Sequence, residues 1–453
     1  MDIENKESEN SLEGYRGLAR ELLDKSKVKI GQRVIVDADD EFRVEGLLIP
    51  RYEHADEEHI VLKLKSGYNI GIDVKKIGSL SRTGKGHPVK EDNIPESPKI
   101  RVFTRSAAKV LLMSTGGTIA SRIDYRTGAV HPALSAEDLR SAIPELESIA
   151  SIEPEVVFST YSENISPSHW QSLSERIVSR SKERFSGFVI MIGTDTLAYV
   201  SAALSFSMIG LSQPVICVGS QRSSDRPSSD SALNLKAAVL VAARFARSGV
   251  YVAMHANEND DDIAIHFGTR VRKNHTSRRD AFRSIDSDYA ALVRGQEIVI
   301  NDQQNGDASL KPSDDFKLKT KFERSVSLIK FHPGFDSRVL DFLLREGKVK
   351  GIIIEGTGLG HVSHNIISSI NGLISEGVFV GMTSQCIWGH VDLNVYDTGR
   401  DLIRAGVVPL GNLFGETAFA KLSWVLGNFQ PEKWPAIMQE SIIGEQTARL
   451  FVK

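Results

Sequence analysis

KVLLMSTGGTIASRIDYRTGAV, residues 109–130, is the stretch from which the fold is most readily inferred. It begins with a short apolar run and passes into Thr-Gly-Gly-Thr at residues 115–118. Short continuous apolar runs are typical of strands that are buried on both faces of a parallel sheet. Glycines at positions 116 and 117 permit backbone angles closed to other residues and let a ligand approach the main chain. The stretch therefore predicts a buried strand that ends in a sharp turn and presents the hydroxyl of Thr118.

Apolar runs of the same kind recur along the chain and alternate with helix-like stretches. The runs are FVIMIGT, PVICVGS, GVYVAMH, VSLIKFH, GIIIEGT, GVFVGMTS and GVVPLG. The helix-like stretches include LAYVSAALSFSMIG, AFAKLSWVLG and SALNLKAAVLVAARFARSG, the last of which is expected to end at Gly249. Strands that alternate with helices in this way predict a doubly wound, parallel-sheet α/β body.

The first hundred residues differ from this pattern and predict a separate domain. Between residues 28 and 77, short β-branched runs alternate with turn sequences such as DADDE and KSGYN, and four or five strands at that spacing predict a small barrel. The expected parts are a short helix at about 10–25 plus an all-β barrel within 1–82, a linker at 83–107, a large α/β domain at 108–300, a connector at 301–325 and a smaller α/β domain at 326–453.

The composition is typical of a soluble globular protein. Of the 453 residues, 41% are apolar and 25% are charged, and no apolar run reaches the roughly 18 residues that a membrane span needs. The polar, acidic N-terminus does not resemble a signal peptide, so we expect a cytoplasmic protein. A net charge of -3 argues against a broad electrostatic hold on nucleic acid. Cys217 and Cys386 each lie in an apolar run, which predicts two buried free thiols and no CxxC metal site.

Hydroxyl groups are concentrated at the predicted strand ends, where the reactive residues of open α/β sheets gather. They belong to Thr118, Thr194, Ser220 and Thr357, and Asp195 follows the second of them. A threonine hydroxyl is a weak nucleophile at neutral pH and needs a partner to remove its proton. Tyr125 is one candidate, and Lys273 is another if burial lowers its pKa. A single strand-end threonine is commonly a cap or turn former, so the hypothesis depends on the combination.

Three segments resemble the signature elements of the L-asparaginase/glutaminase family that uses a threonine nucleophile. They are TGGTIAS with Tyr125 downstream, IGTDTLAY and RKNHTSRRDAF, while GMTSQC and GETAFAKLSWVLG resemble the family's smaller C-terminal domain. The resemblance covers residues 108–445 and implies an L-asparaginase-like, two-domain body. It also implies at least a homodimer, because family enzymes close their site from a neighbouring subunit.

The resemblance implies a role for each matching residue. Thr118 would be the primary nucleophile with Tyr125 beside it, and Thr194, Asp195 and Lys273 would form a cluster of hydroxyl, carboxylate and amine. Ser162 and Glu163 would hold the α-carboxylate and α-amino groups of the substrate, with Asp195 also on the amine and Gly117 in the substrate-binding turn. Some family members carry glutamine in place of Glu163, so the match there is one of role.

A small β domain joined by a long linker to such a body resembles the D-subunit family of archaeal glutamyl-tRNA(Gln) amidotransferases. This resemblance implies that the chain hydrolyses glutamine and that ammonia passes to an E subunit. The E subunit would use ATP and Mg²⁺ to convert Glu-tRNA(Gln) to Gln-tRNA(Gln). No cofactor is expected on this chain, since it lacks GxxxxGK[ST] and GTGLGH at 356–361 departs from GxGxxG.

Two other functions remain open at this point. A free-standing cytoplasmic L-asparaginase would share the catalytic residues but differ in substrate and partner. A tRNA- or partner-binding module with a vestigial amidase site is disfavoured by the presence of all four of Thr118, Thr194, Asp195 and Lys273. The basic stretch RVRKNHTSRRDAFR is expected to serve the active site and subunit contacts rather than tRNA phosphates. Acidic residues 258–262 are expected to be a solvated loop, and no metal is predicted.

Overall fold

The computed structural model describes residues 12, 14–38, 42–51, 56–64, 69–82, 108–116, 121–123, 130–132, 145–222, 229–301 and 314–447. They fall into two compact units, one formed by the N-terminal region together with residues 121–133 and 222–229, and the other by the rest of the chain. Three predicted site residues, Gly117, Thr118 and Tyr125, lie outside the described residues.

The N-terminal unit contains a five-stranded antiparallel sheet. Its elements are α1 (Gly17–Lys25), β1 (Arg33–Ala38), β2 (Phe42–Leu48), β3 (His59–Leu64), β4 (Asn69–Asp73) and β5 (Ile77–Arg82), and the strand order is β4-β3-β2-β1-β5. Leu23 packs into the same buried cluster as Val34, Leu48 and Ile60. The predicted small β domain is confirmed, although its helix begins at Gly17 rather than near residue 10. The hairpin of β7 (Ser121–Ile123) and β8 (Val130–Pro132) belongs to the same unit.

The second unit begins with an eight-stranded sheet. Its strands are β6 (Lys109–Gly116), β9 (Ser151–Thr160), β10 (Gly187–Met191), β11 (Pro214–Val218), β12 (Gly249–His255), β13 (Asp262–Phe267), β16 (Ala291–Arg294) and β17 (Glu297–Ile300), in the order β17-β16-β13-β12-β11-β10-β6-β9. Five neighbouring strands, in the spatial order β12-β11-β10-β6-β9, are parallel. Every residue of β10 and β11 is buried. The apolar runs therefore form a parallel sheet that is covered on both faces, as predicted.

Helices and one short ribbon accompany this sheet. The helices are α2 (Leu146–Ile149), α3 (Pro167–Arg180), α4 (Leu197–Ser207) and α5 (Ser231–Arg244), and the ribbon pairs β14 (Val271–Lys273) with β15 (Phe282–Ser284). The expectation that the helix after residue 231 ends at Gly249 is wrong. Phe245 already has extended backbone angles, so α5 ends at Arg244 and Gly249 begins β12.

A smaller parallel sheet forms the C-terminal part of the same unit. Its strands, β18 (Val326–Lys330), β19 (Gly351–Gly356), β20 (Phe379–Ser384) and β21 (Val408–Pro409), are paired in chain order. Its helices are α6 (Arg338–Arg345), α7 (Ile367–Ser375), α8 (Asp397–Ala405), α9 (Gly415–Asn428) and α10 (Trp434–Gln439). Trp424 of α9 stacks on Phe206 of α4 with ring centroids 5.6 Å apart, so α9 is buried against the large sheet's helices. The predicted two-domain α/β body is confirmed.

Three details of the fold bear on expectations from the sequence. GTGLGH forms a turn in which Thr357 pairs with His361, and Gly358 and Gly360 have positive φ angles of 52° and 103°. Cys217 is buried in β11, but Cys386 is exposed, so the prediction of two buried thiols is wrong. The apolar run before Cys386 ends with β20 at Ser384, which puts the cysteine in the following loop. In the part of the chain that is described, no helix is long and apolar enough to cross a membrane.

Candidate active site

Thr194 and Asp195 are the third and fourth residues after Met191, the carboxyl end of β10. The preceding Gly193 is needed there, because a Cβ atom at this position would lie 2.5 Å from the Cβ of Ser162. Thr194 is buried, whereas the side chain of Asp195 is 69% exposed. The strand end therefore presents a sheltered hydroxyl next to a carboxylate that solvent, or a ligand, can reach.

Lys273, the last residue of β14, joins these two side chains. Its Nζ donates to Thr194 Oγ1 at 2.9 Å and to Asp195 Oδ1 at 2.7 Å. The lysine side chain is only 16% exposed. The structure thus brings together the predicted hydroxyl, carboxylate and amine, although Asp195 and Lys273 are 78 residues apart in sequence. These two bonds use two of the three donors of the ammonium.

Ser162 and Glu163 approach the same cluster from a short 3₁₀ turn, Ser162–Asn164. Ser162 Oγ lies 3.5 Å from Asp195 Oδ2 and 3.5 Å from Glu163 Oε2, both of which are long contacts for a hydroxyl donor. The turn is fixed by Thr196, whose Oγ1 donates to the carbonyl of Ser162 at 2.9 Å. The Ser162 hydroxyl therefore lies between the carboxylates of Glu163 and Asp195, the second of which is bonded to Lys273.

The Thr-Gly-Gly-Thr turn is described as far as Gly116. Gly116 has a φ of +96°, and a Cβ atom there would lie 2.5 Å from the carbonyl oxygen of Thr160. Only glycine fits this position, because it is both left-handed and in close contact with β9. Thr115 is buried, and its hydroxyl donates to the carbonyl of Met191 at 2.7 Å. Thr115 thus ties β6 to β10.

The hydroxyls predicted at the other two strand ends serve the fold. Ser220 Oγ donates to Asp230 Oδ1 at 2.9 Å, and Thr357 Oγ1 donates to the carbonyl of His361 at 3.1 Å within its turn. Asp230 is fully buried and also accepts from Asn234 at 3.0 Å, and Asn234 contacts His255 Nδ1 at 2.7 Å. Burial lowers the pKa of His255, a shift that the neighbouring Asp230 opposes. A polar network therefore underlies the end of β11.

A charged pair next to Lys273 has no counterpart among the predicted site residues. Arg272 Nε lies 3.0 Å from Glu416 Oε1, in the first turn of α9. Burial, and then the neighbouring Glu416, raises the pKa of Glu355 at the end of β19. An acidic residue in the first turn of a predicted helix is a detectable signal, but nothing in the sequence indicates its partner.

The basic stretch after Lys273 is paired with the acidic loop before β13. Arg278 Nε lies 3.4 Å from Glu258 and 2.8 Å from Asp280, and Arg279 contacts Asp260. Among the residues described, no group of three or more His, Cys, Asp or Glu side chains is arranged to hold a metal ion.

A cavity of about 610 Å³ lies away from this cluster. Its lining includes Gly249 and Val250 at the start of β12, Ser212 before β11, and Arg270. Parallel strands share one direction, so this is the opposite edge of the sheet from the carboxyl ends that carry Thr194 and Asp195. The candidate active site is therefore defined by the convergence of side chains and not by cavity size.

Family profiles match three consecutive parts of the chain. The asparaginase N-terminal family matches residues 109–305, the glutaminase/asparaginase C-terminal domain matches residues 325–437, and the GatD N-terminal domain matches residues 28–81. The cluster of Thr194, Asp195 and Lys273 lies within the first of these segments.

Relatives of similar length match nearly the whole chain. The D subunit of the glutamyl-tRNA(Gln) amidotransferase of Thermofilum pendens is 44% identical over 448 residues, which cover 96% of this chain and 97% of the relative. The corresponding D subunit of Metallosphaera sedula is also 44% identical, with 97% of each chain covered. The chain belongs to this D-subunit family. Its small β domain, as well as its asparaginase-like body, is therefore a family feature.

Solved structures similar to the D-subunit chain include asparaginases. The thermostable L-asparaginase from Thermococcus kodakarensis superposes with a TM-score of 0.65 at 33% identity, and the alignment covers 75% of this chain and 100% of the asparaginase. A probable cytoplasmic L-asparaginase from Campylobacter jejuni superposes with a TM-score of 0.63 at 25% identity, covering 73% and 99%.

Proposed function

We propose that this chain is the glutamine-hydrolysing component of a tRNA-dependent amidotransferase. The observation that carries the proposal is the Lys273 ammonium, which bridges the buried Thr194 hydroxyl and the exposed Asp195 carboxylate. Family membership supports glutamine as the amide donor and the conversion of Glu-tRNA(Gln) to Gln-tRNA(Gln) on a partner E subunit. That partner would bind ATP and Mg²⁺, and this chain would form a homodimer through its asparaginase-like body.

The proposed reaction is acyl transfer from the side-chain amide of glutamine. The hydroxyl oxygen of Thr118 attacks the amide carbon, a C–O bond forms, the C–N bond breaks, and ammonia leaves with the hydroxyl proton. Water then adds to the ester, releases glutamate and returns a proton to the threonine. Tyr125 assists the attack in this proposal, and Gly117 belongs to the turn that binds the substrate.

Lys273 determines how Thr194 acts in these steps. Because the ammonium donates to Thr194 Oγ1, the proton of that hydroxyl must point to another acceptor. We assign Thr194 to proton transfer, as the group that orients water or delivers a proton to the leaving nitrogen. Lys273 holds Thr194 and Asp195 in place and balances the negative charge that develops on the amide oxygen.

The remaining polar groups suit a zwitterionic amino-acid substrate. The exposed carboxylate of Asp195 and that of Glu163 would receive the α-ammonium, and the Ser162 hydroxyl would donate to the α-carboxylate. The long 3.5 Å contacts of Ser162 Oγ support this role, since the hydroxyl loses little when it turns to a substrate.

A free-standing L-asparaginase is the second candidate, and the superposition on the T. kodakarensis asparaginase favours it. The two functions differ in substrate and in dependence on partners. The test is ammonia release from glutamine and from asparagine by the purified chain, with and without its co-purifying partner and glutamylated tRNA. We expect glutamine hydrolysis that rises strongly with both additions. Fast asparagine hydrolysis by the chain alone would overturn the amidotransferase proposal in favour of an asparaginase.

A further inference from the structure

The strand that carries Lys273 is held from its other side by the C-terminal domain. Successive side chains of a strand point to opposite faces, so Arg272 projects away from Thr194 and Asp195. Arg272 Nε meets Glu416 Oε1 at 3.0 Å, and their side chains are 29% and 12% exposed. One face of β14 therefore serves the candidate active site, and the other face is bound to the first turn of α9.

The residues that lead into β14 are attached to the same domain. Thr417 Oγ1 donates to the carbonyl of Thr269 at 2.9 Å, in a buried bond. Arg270 is buried, and its guanidinium lies 3.3 Å from the carbonyl oxygen of Gly444 and 3.5 Å from that of Asn412. The C-terminal domain thus contacts three of the four residues 269–272 directly before Lys273.

The position of Glu416 is fixed by the close packing of the first turn of α9. Gly415 precedes it, and a Cβ atom there would lie 2.5 Å from Glu355 Oε1, so the first turn of α9 is pressed against the end of β19. The second oxygen of Glu416, Oε2, is buried without a hydrogen-bond partner among the described residues. Burial, then the charges of Glu416 and Glu355, raises the pKa of nearby Tyr199 to about 12. The Glu416 carboxylate is therefore held in a poorly solvated place where Arg272 is its counter-ion.

We propose that Glu416 is a positioning residue for Lys273, which it holds in line with Thr194 and Asp195 by fixing Arg272 and strand β14. The inference rests on the proposed amidase role of the Lys273 cluster and adds to it a residue of the other domain that touches no substrate. A displacement of about 1 Å at a reacting group costs up to roughly 100-fold in rate. Strand β14 has three residues and, among the described strands, pairs with β15 alone, so the Arg272–Glu416 ion pair anchors the residue directly before Lys273.

The test compares Glu416→Gln, which keeps the size of the side chain and removes its charge, with wild type. We expect kcat for glutamine to fall about 10-fold, with KM within about 2-fold, because substrate contacts are intact. The variant Asp262→Asn is the matched control, since Asp262 is 18% exposed and its ion-pair partner Arg294, 2.8 Å away at Nε, lies on the neighbouring strand β16 and not on β14. The control should keep wild-type kcat. A Glu416→Gln enzyme with kcat equal to that of the control would overturn the proposal.

A double-mutant cycle separates positioning through Arg272 from a general effect on domain packing. If Glu416 acts through Arg272, Glu416→Gln should have no further effect on kcat in an Arg272→Met background. Additive losses would contradict the proposal. The pH profile provides a second readout, because Glu416→Gln leaves Arg272 uncompensated beside Lys273, with Glu355 and Tyr199 the other titratable groups that face the pair. The basic limb should move to lower pH.

A spectroscopic measurement keeps the test independent of activity. In protein labelled with ¹³Cε-lysine, the Lys273 signal is identified by its loss in Lys273→Met. It should shift in Glu416→Gln and stay in place in Asp262→Asn. An unshifted signal would overturn the inference even in an active enzyme. A shift in a protein that hydrolyses neither amide would leave the positioning intact and overturn the proposed function instead.

Discussion

Two lysine–carboxylate pairs in this molecule have nearly the same length and opposite surroundings. Lys273 lies 2.7 Å from Asp195, whose side chain is 69% exposed, whereas Lys421 lies 2.6 Å from Glu445 and both are fully buried. Lys421 also donates to the carbonyls of Met438 at 3.2 Å and Glu440 at 2.6 Å, so all three of its donors are used. Burial lowers the pKa of Lys421, and Glu445 opposes that shift.

In our proposal, an ion pair becomes a reactive site through the groups around it and not through its distance. The partners of Lys421 lie in α10 and in the chain that follows it, so the lysine joins this segment to α9. Glu445 also accepts hydrogen bonds from the backbone N–H groups of Ile442 and Ile443. The partners of Lys273 are the buried hydroxyl of Thr194 and the carboxylate of Asp195, which solvent can reach. The Lys421–Glu445 pair, which we call the closed pair, makes all its bonds within the protein. The Lys273–Asp195 pair, the open pair, has binding capacity left for a substrate.

The largest expected effect comes from removing the open pair. Lys273→Met should reduce ammonia release from glutamine by about 10²–10⁴-fold, because proton transfer through Thr194 loses its organising charge. The free energy of unfolding should fall less than it does when the fully buried Lys421 is replaced, since Asp195 is 69% exposed and stays solvated without its lysine. Steady-state kinetics and thermal melting on one preparation measure both. Full activity in the variant would show that the open pair is not catalytic.

The matched substitution in the closed pair should have the reverse effect. Lys421→Met leaves Glu445 buried without its counter-ion, and removing one member of a buried pair costs about 3–5 kcal/mol. Chemical denaturation should show this loss. Activity per folded molecule, measured well below the melting temperature, should stay close to that of wild type. A denaturation curve unchanged from wild type would mean that the buried pair is not a structural element at all.

A smaller effect is expected at the edge of the open pair. Ser162→Ala should raise KM for glutamine about 10-fold with kcat nearly unchanged, because it removes the hydrogen bond that we propose to the α-carboxylate of the substrate. Ser375→Ala is a suitable control, since Ser375 donates to the carbonyl of Gly372 at 2.8 Å within its own helix. If kcat falls and KM does not, the serine contributes to chemistry and the open pair has a different role.

The sequence predicted those strands and site residues that a local sequence pattern marks. The strands β6, β10, β11 and β19 follow from apolar runs, and a strand-end rule then places Thr194 and Asp195 at a site. Lys273 was a candidate base from its residue type, but its grouping with Thr194 and Asp195 required a resemblance, because a contact across 78 residues has no periodicity. Glu416 and the closed pair were missed because their partners are set by how distant segments pack. Cys386 was wrongly predicted to be buried, because its apolar sequence neighbours do not show where strand β20 ends.

Glu355 provides the test with the smallest expected effect. Its carboxylate is partly buried, so its surroundings are intermediate between those of the two lysine–carboxylate pairs. Its pKa is raised from the ordinary 4.5 by burial and then by Glu416, with Arg272 and Lys330 opposing. The folded protein therefore holds a proton that the unfolded chain releases, and wild-type stability falls as pH rises from about 4.5 through the raised value.

Glu355→Gln should remove this slope, so the melting temperature of the variant relative to wild type rises across that pH range and then levels off. Glu323→Gln should change in the opposite direction, because the bonds of Glu323 to Lys350 and to the backbone outweigh burial and lower its pKa. Its contribution is present above the ordinary value and is lost in acid, which leaves the Gln variant less stable at neutral pH. Melting curves of the three proteins, begun well below the ordinary glutamate pKa of 4.5 and continued to neutral pH, measure both signs. A Glu355→Gln difference that is constant with pH would mean that Glu355 is ionised alike in both states, and that the first turn of α9 is better solvated than the close packing of Gly415 against Glu355 implies.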